Sequence, residues 1–208
     1  MKTPPENPPP KKPASERPAT PDEVMKQLHE GQFPLAQQLA LRLTEAEPQS
    51  AMAHRLLAMT HLALGQPEEA LEALDQALEL HEGGVSTFEP PEDLANVYAT
   101  RALVQLQQDD LDGAAEDAKA ALGLNPDEPE ALFVATVAAA DALNWDEAHR
   151  HAERLATLDP DSADAQAWLA RILTAQGKKA EAAQAAGRAR ALGFITSELE
   201  EIEKEGTE

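Results

Sequence analysis

The sequence predicts an all-α solenoid of five helix pairs with one further helix at its C-terminal end. Three observations support this prediction. A short motif recurs at intervals of 34 residues, aromatic residues make up only 3% of the chain while alanine and leucine are abundant, and no β-branched run alternates as a strand would. A period of this length is typical of stacked helix pairs, because one pair alone cannot bury its apolar stripe.

The repeated motif centres on a turn between the two helices of each pair. The turn position holds Gly31, Gly65, Asp109, Leu143 and Gly177. Every unit has an alanine five residues later and a second alanine or a leucine twelve residues later, and a proline closes three of the five units. We therefore predict a solenoid over 21–196, with units near 17–50, 51–84, 95–128, 129–162 and 163–196.

Each unit has the pattern of two amphipathic helices. Within residues 52–64, apolar side chains recur every three or four positions, which is helical spacing. Gly65 can adopt the left-handed conformation that ends a helix, and Pro67 followed by two glutamates suits the first turn of the next one. The same signals predict helices over 21–30, 34–46, 51–64, 67–81, 92–107, 111–123, 129–142, 145–157, 163–176 and 179–191.

Capping signals mark the first and last helices. Thr20 followed by Glu23 predicts a capping box, in which each side chain bonds the other residue's backbone N–H. We predict a second box from Ser197 and Glu200, opening a capping helix and acidic tail over 197–208. The narrow apolar stripe of this helix would cover the last open face of the solenoid.

Two segments depart from the repeat. Residues 1–20 carry seven prolines among charged and small residues, so we predict a disordered tail that is either a spacer or, through the PxxP pattern at 10–13, a ligand for polyproline-II readers. The step from the second to the third unit is 44 residues, and the insertion, 82–91, contains Gly-Gly and Pro-Pro. Phe88 in this loop either packs back on the preceding helix or forms an exposed lip.

The spacing and the small residues resemble the tetratricopeptide repeat family, whose pattern runs W-x2-L-G-x2-Y, then A-x3-F, then P. The second unit is the clearest match, through Leu57, Ala58, His61, Gly65, Ala70, Leu74 and Ala77. The resemblance covers nearly everything after residue 20 and implies a right-handed superhelix whose concave face is lined by the first helix of each unit. The alanine-rich, lysine-poor composition favours a bacterial-type member.

By the phase of the resemblance, twelve residues form the predicted partner-binding groove: Met25, Leu28, Met52, Arg55, Met59, Leu62, Asn96, Leu103, Leu106, Phe133, Val137 and Arg171. The remaining concave positions hold His29, Ala63, Ala99, Gln107, Glu130, Ala140, Asp141, Asp164, Ala167, Thr174 and Ala175. Thioethers repack easily, so the methionines favour a partner helix or an extended apolar peptide. Some of these side chains would instead bury against neighbouring helices.

One activity known in the family is not expected. Members that grip chaperone C-termini use a two-carboxylate clamp of lysines, asparagines and arginine. Met59 and Thr100 stand where the resemblance would require asparagines, and only Arg55 resembles a clamp residue.

The sequence also lacks the signals of catalysis and metal binding. There is no cysteine, the six histidines are not at ligand spacing, and no phosphate loop, GxSxG, HExxH or EF-hand pattern occurs. We therefore expect no metal, no cofactor and no enzymatic activity. No apolar stretch suits a secretory leader or a membrane span, so a cytoplasmic protein without membrane insertion is expected.

The net charge of −21 is concentrated in residues 21–162. Such a surface should repel phosphate backbones, which argues against a nucleic-acid partner. It either keeps the protein soluble or steers a basic client. Residues 163–196 are net basic, which leaves three interpretations: solvated charge, self-association with another copy, or docking of the acidic helix at 198–203.

The predicted function is that of a protein–protein interaction scaffold or adaptor, which binds an apolar peptide or helix in the concave groove. The alternative is an assembly chaperone that transiently shields a subunit of a larger complex. A module that regulates an attached activity is a third possibility.

Overall fold

The computed structural model describes residues 19–84 and 91–206. These residues form eleven α-helices and no strand: α1 (Pro21–His29), α2 (Phe33–Ala46), α3 (Ala51–Ala63), α4 (Pro67–Glu82), α5 (Pro91–Gln107), α6 (Leu111–Leu124), α7 (Pro129–Asp141), α8 (Trp145–Leu158), α9 (Ala163–Ala175), α10 (Lys179–Ala191) and α11 (Ser197–Glu205). The prediction of an all-α solenoid is confirmed. The ends of α1 to α10 lie within one residue of their predicted positions. The PxxP motif and Phe88 lie outside the described residues.

The helices are arranged in two rows. Each odd-numbered helix contacts the next odd-numbered one, from α1 through α3, α5, α7 and α9 to α11. The even-numbered helices contact only the helices that precede and follow them in the chain. The pairs therefore stack through a continuous row of odd helices. This row continues across the predicted insertion, because α3 and α5 remain in contact.

The repeated small residues form the contacts between helices. The alanines five residues after each turn are buried, with exposures of 0 to 1%: Ala36, Ala70, Ala114, Ala148 and Ala182. The positions twelve residues after the turns are also buried, with Leu155 the most exposed at 7%. Since a Cβ methyl allows two helix backbones to approach closely, the 34-residue period records where helices cross.

All five turn residues adopt the left-handed conformation. Their φ angles are 70° at Gly31, 70° at Gly65, 61° at Asp109, 56° at Leu143 and 74° at Gly177. A residue with a Cβ pays roughly 1–2 kcal/mol for this conformation, and aspartate tolerates it better than leucine. Leu143 is 69% exposed, so its side chain has little packing to offset the strain.

Two ion pairs of Arg101 meet next to the insertion: a largely buried one with Asp117 inside the third unit, and a more exposed one with Asp75 of the second unit. The Arg101 Nε atom on α5 lies 2.6 Å from Oδ2 of Asp117 on α6, and its Nη1 lies 2.8 Å from Oδ1 of Asp75 on α4. Asp117 is only 6% exposed, and hydrogen bonding to it raises the pKa of Arg101. The guanidinium thus links α4, α5 and α6 where the repeat spacing is irregular.

The two predicted capping boxes have different outcomes. Thr20 and Glu23 form the predicted box at the start of α1. The prediction for Ser197 is wrong, because Thr196 is the N-cap of α11 and its hydroxyl accepts a hydrogen bond from the Leu199 N–H at 3.3 Å. Thr196 has the extended backbone that a cap requires, with φ −134° and ψ 153°, and Ser197 is already helical.

Candidate peptide-binding groove

The predicted groove residues share one environment. They lie on α1, α3, α5, α7 and α9, and all twelve are half-buried: Met25, Leu28, Met52, Arg55, Met59, Leu62, Asn96, Leu103, Leu106, Phe133, Val137 and Arg171. A half-buried side chain packs on one side and stays open on the other, as the floor of a groove requires. We call this surface the groove.

Three other concave positions are not part of that floor. Ala99, Ala140 and Ala167 are 0%, 7% and 1% exposed, so for these three the alternative holds, in which the side chain is buried against neighbouring helices. Each methyl group lies between packed helices and does not reach the surface of the groove. Ala99 belongs to the core cluster of α5, α6 and α7, Ala140 to that of α7, α8 and α9, and Ala167 to that of α9, α10 and α11.

The N-terminal part of the groove is floored by methionine. Met25, Met52 and Met59 are partly buried against a core cluster that includes Leu43 and Leu56. Both leucines are almost fully buried, at 0% and 1% exposure. The flexible thioether side chains therefore rest on a fixed layer, and they can change rotamer without disturbing the core.

A polar network crosses the middle of the groove. The Arg55 Nε atom donates to the Asn96 carbonyl at 3.2 Å and to the Thr100 hydroxyl at 3.1 Å, and Arg55 Nη2 lies 4.0 Å from Oε2 of Glu130. The Thr100 oxygen lies 3.2 Å from the same Glu130 oxygen. Arg55 thus joins α3, α5 and α7, and its side chain is only 13% exposed. It is engaged inside the protein and does not present a free cation to a partner.

A buried carboxyl lies beside this network. Glu128 is the N-cap residue of α7, yet its side chain makes no capping hydrogen bond, and it is 7% exposed. Burial is the main cause that raises the pKa of Glu128, and the negative charge of Glu130 adds to it. Burial and the neighbouring carboxylate together therefore disfavour the charged form of Glu128.

A pocket of about 370 Å³ opens beside the network, between α5, α7, the end of α8 and the start of α9. Its apolar lining consists of Leu103, Phe133, Leu155 and Leu158, with Pro129. Its polar lining is acidic apart from Ser162, and comprises Glu130, Asp159 and Asp164. We call this cavity the anchor pocket. Leu103, Glu130, Phe133 and Asp164 are positions that the sequence placed on the concave face.

Five of the nine lining residues of the anchor pocket were missed by the sequence reasoning: Pro129 and Ser162 beside the starts of α7 and α9, and three residues at the end of α8. Leu155, Leu158 and Asp159 come from the end of α8, a second helix of its unit, which the resemblance assigns to the outside. A signal was present, because Leu158 extends the apolar stripe of α8 to its last residue. It is 39% exposed in the structure, so part of this apolar side chain faces the pocket opening.

A second cavity of about 540 Å³ lies between α7 and the even helices α6 and α8. It is lined by Ala115, Lys119, Leu122, Gly123, Ala135, Ala138, Ala139, Ala142, Glu147 and His151, from α6, α7 and α8. Its rim carries one lysine and one glutamate, and the rest of its lining is mostly small and apolar, so the cavity indicates no particular class of ligand. Burial lowers the pKa of His151, which disfavours the charged imidazole there.

The last predicted groove residue, Arg171, faces α11. Its Nη2 atom lies 2.8 Å from Oε2 of Glu198, and the guanidinium stacks over Trp168 at 5.3 Å. Lys179 pairs with Glu205 at 3.4 Å and Arg190 with Glu203 at 2.9 Å. Of the three interpretations of the basic residues, the structure therefore shows the docking of the acidic helix, and these three cations already have partners in their own chain.

No metal or membrane site emerges from residues 19–84 and 91–206. Within them, no group of three or more His, Cys, Asp or Glu side chains is placed to hold a metal ion. Among the same residues, no helix combines the length and the apolar composition that crossing a bilayer demands.

Comparisons with solved structures agree on the fold. MamA is 19% identical, with a TM-score of 0.59 over 82% of this chain and 88% of that one. YrrB, described as a TPR protein with an unusual peptide-binding site, is 16% identical, with a TM-score of 0.61 over 88% and 89%. TTC0263, a TPR protein of Thermus thermophilus, is 19% identical, with a TM-score of 0.59 over 87% and 94%. No curated protein sequence matches the chain.

A sequence model described as tetratricopeptide repeat matches residues 26–85 and 137–193, which together make up more than half of the chain. The matched segments contain the turn residues Gly31, Gly65, Leu143 and Gly177, whose left-handed backbone separates the two helices of each pair. The resemblance stated from the repeated residues is thus confirmed. The chain belongs to the tetratricopeptide repeat family, whose members are non-enzymatic protein-interaction scaffolds.

Proposed function

We propose that this protein is an adaptor that holds an apolar peptide or helix of a protein partner in the groove. One observation carries the proposal: the nine apolar residues among the twelve predicted ones are all half-buried on the row of odd helices, which leaves apolar surface open to a partner. YrrB, which is described as having a peptide-binding site, supports the same use of a similar fold.

The chemistry of the groove favours a protein over a nucleic acid. Its floor is made of methionine, leucine and phenylalanine, and its one central cation, Arg55, is engaged with Glu130 and Thr100. With a net charge of −21, the chain would repel a phosphate backbone. An amphipathic helix or an extended segment with apolar side chains suits this floor better.

The test is a pull-down from native cell extract with Met59→Glu and Leu103→Glu combined. Each substitution places a carboxylate in the floor, so we expect the partner to be lost while helical circular dichroism is retained. The matched control combines Gln76→Glu and Gln184→Glu, two exposed positions on the even helices α4 and α10 that change the charge equally. A partner retained by the wild type and by the control, but lost from the groove variant, is the expected result.

Two results would count against the groove. If the groove variant and the wild type retained the same proteins, partner binding would have to use another surface. If the groove variant lost its helical signal, Met59 and Leu103 would be core residues, and the milder variant Met59→Gln would then be needed to separate binding from folding.

An assembly chaperone is the second candidate, because a methionine floor can repack around different apolar surfaces. The two functions differ in what they leave behind. An adaptor stays in the finished complex, whereas a chaperone is recovered only with the unassembled subunit. Size fractionation of the extract before the pull-down distinguishes them, by showing whether the protein co-migrates with the complete assembly.

A further inference from the structure

We propose that the anchor pocket receives a bulky apolar side chain of the partner that is flanked by lysine or arginine. This inference deepens the proposed function and rests on it, because it assumes that a partner segment lies in the groove. It assigns to the pocket both a shape requirement and a charge requirement.

The shape requirement follows from the lining. Leu103 and Phe133 contribute from the odd helices, and Leu155 and Leu158 from α8. These side chains line a cavity of about 370 Å³, which is at the lower end of the range for ligand-binding pockets and has room for one large side chain. An alanine or a serine would leave most of that space empty, whereas leucine, methionine or phenylalanine would bury apolar area against four apolar neighbours.

The charge requirement follows from the rim. No lysine or arginine lines the pocket. Glu130 is already held by Arg55 and Thr100, but Asp159 and Asp164 are exposed, and neither has an ion-pair partner in the part of the chain that the structure describes. A cation next to the apolar anchor would therefore be the first counter-charge at these two carboxylates.

Charge also distinguishes this pocket from the other end of the groove. The methionine floor of α1 and α3 is apolar, and His29 at its edge is exposed. Basic residues on the partner would thus fix the orientation of the bound segment, by directing its cationic part towards the start of α9. The apolar part can then extend along the floor.

The experiment uses three fluorescein-labelled helical peptides of 16 residues and the full chain, with affinity read by fluorescence anisotropy. The first peptide carries two leucines four residues apart with flanking lysines. The second replaces the leucines with alanine, and the third replaces the lysines with glutamate. We expect the first to bind at least tenfold more tightly than either of the others at 50 mM salt, and its advantage over the third to shrink at 500 mM.

Two variants separate the contributions. Asp159→Asn with Asp164→Asn should weaken the lysine peptide three- to tenfold and reduce its preference over the glutamate peptide. Leu158→Gln should instead reduce the preference for leucine over alanine. The matched control for the aspartates is Asp22→Asn with Asp112→Asn, two exposed acidic residues in the first turns of α1 and α6, which should change neither preference.

The outcomes distinguish this inference from the proposed function. Equal binding of the lysine and glutamate peptides, abolished by Met59→Glu with Leu103→Glu, would overturn the charge requirement and leave the groove in place. Peptide binding that is unaffected by that groove variant would overturn the groove itself. Failure of all three peptides to bind would overturn the anchor pocket as a site for a short segment.

A second copy of the chain is the remaining occupant to test. Sedimentation velocity between 5 and 200 μM would show concentration-dependent association if another copy filled the pocket, and Asp159→Asn with Asp164→Asn would reduce it. That result would overturn the assignment to a basic-flanked partner.

Discussion

The two ends of the molecule are fastened by different interactions. At the N-terminal end, Met25, Met52 and Met59 lie on a layer of buried leucine and valine. At the C-terminal end, Arg171 and its basic neighbours on α10 are tied to the glutamates of α11. The comparison teaches that both ends rest on apolar packing, and that the second end adds ion pairs that salt screens.

The largest expected effect comes from a substitution that loosens the packing of the C-terminal end. Leu199 is 2% exposed and packs α11 onto α9 and α10, so Leu199→Ala should lower the local free energy of opening there by about 2–5 kcal/mol. Stability in repeat proteins is a sum over neighbouring units, so α1 to α4 should keep their protection. Amide hydrogen exchange measures both ends in one experiment.

The control for this prediction is Leu192→Ala, since Leu192 is 39% exposed and follows α10. It should leave the exchange of α11 almost unchanged. Equal loss of protection in α1 to α4 and in α9 to α11 after Leu199→Ala would show that the two ends do not open independently.

The next effect concerns the ion pairs of α11. Glu198→Gln with Glu203→Gln removes the partners of Arg171 and Arg190, and two exposed pairs of this kind are worth about 0.4–2 kcal/mol together. We expect faster exchange in α11 at 50 mM salt and a smaller difference from the wild type at 1 M salt. A difference that is the same at both salt concentrations would mean that packing, and not charge, is lost.

The position of these pairs shows where sequence reasoning was sufficient and where it was not. The 34-residue period located the turns and the buried alanines because both repeat in every unit. The pairing of Arg171 with Glu198 was only one of three interpretations, since it depends on how α11 docks, and α11 lies outside the repeated pattern. The anchor pocket was half predicted for a similar reason, because Leu158 and Asp159 belong to a helix end outside the groove phase.

A pH-dependent effect is expected between the two ends, at Glu128. Its folded-state pKa is raised above the ordinary value of 4.5, mainly by burial. The folded state is therefore more stable when this carboxyl is protonated. This stabilisation is complete below the unfolded pKa and is lost as pH rises through the folded pKa. Glu128→Gln should therefore raise the melting temperature at pH 7 and have little effect below pH 4.

The matched control is Glu116→Gln, an exposed carboxyl on α6. It should show no such difference between the two pH values. If Glu128→Gln lowered the melting temperature at pH 7, the carboxylate would be making a favourable interaction that outweighs its burial.

The smallest expected effect compares a turn from each half. Gly65 and Leu143 adopt the same left-handed conformation, with φ of 70° and 56°. Leu143→Gly relieves strain of roughly 1–2 kcal/mol but gives the unfolded chain more freedom, so the net gain should be under about 1 kcal/mol. Gly65→Ala should lower the free energy of unfolding by under about 1 kcal/mol, because alanine is strained at this φ. The added Cβ itself would meet no other atom within 4 Å. Urea denaturation measures both, and a loss of stability in Leu143→Gly would mean that its side chain packs more than its exposure indicates.

The most direct test of groove binding is the ¹³C-methyl spectrum of the methionines. The chain has four methionines, of which Met25, Met52 and Met59 lie in the groove and Met1 lies outside the described residues. Adding the partner segment that the wild type retains from extract should shift the three groove resonances and leave Met1 as the internal reference. Saturated binding with all three groove resonances unmoved would contradict the account, because the partner would then occupy a different surface.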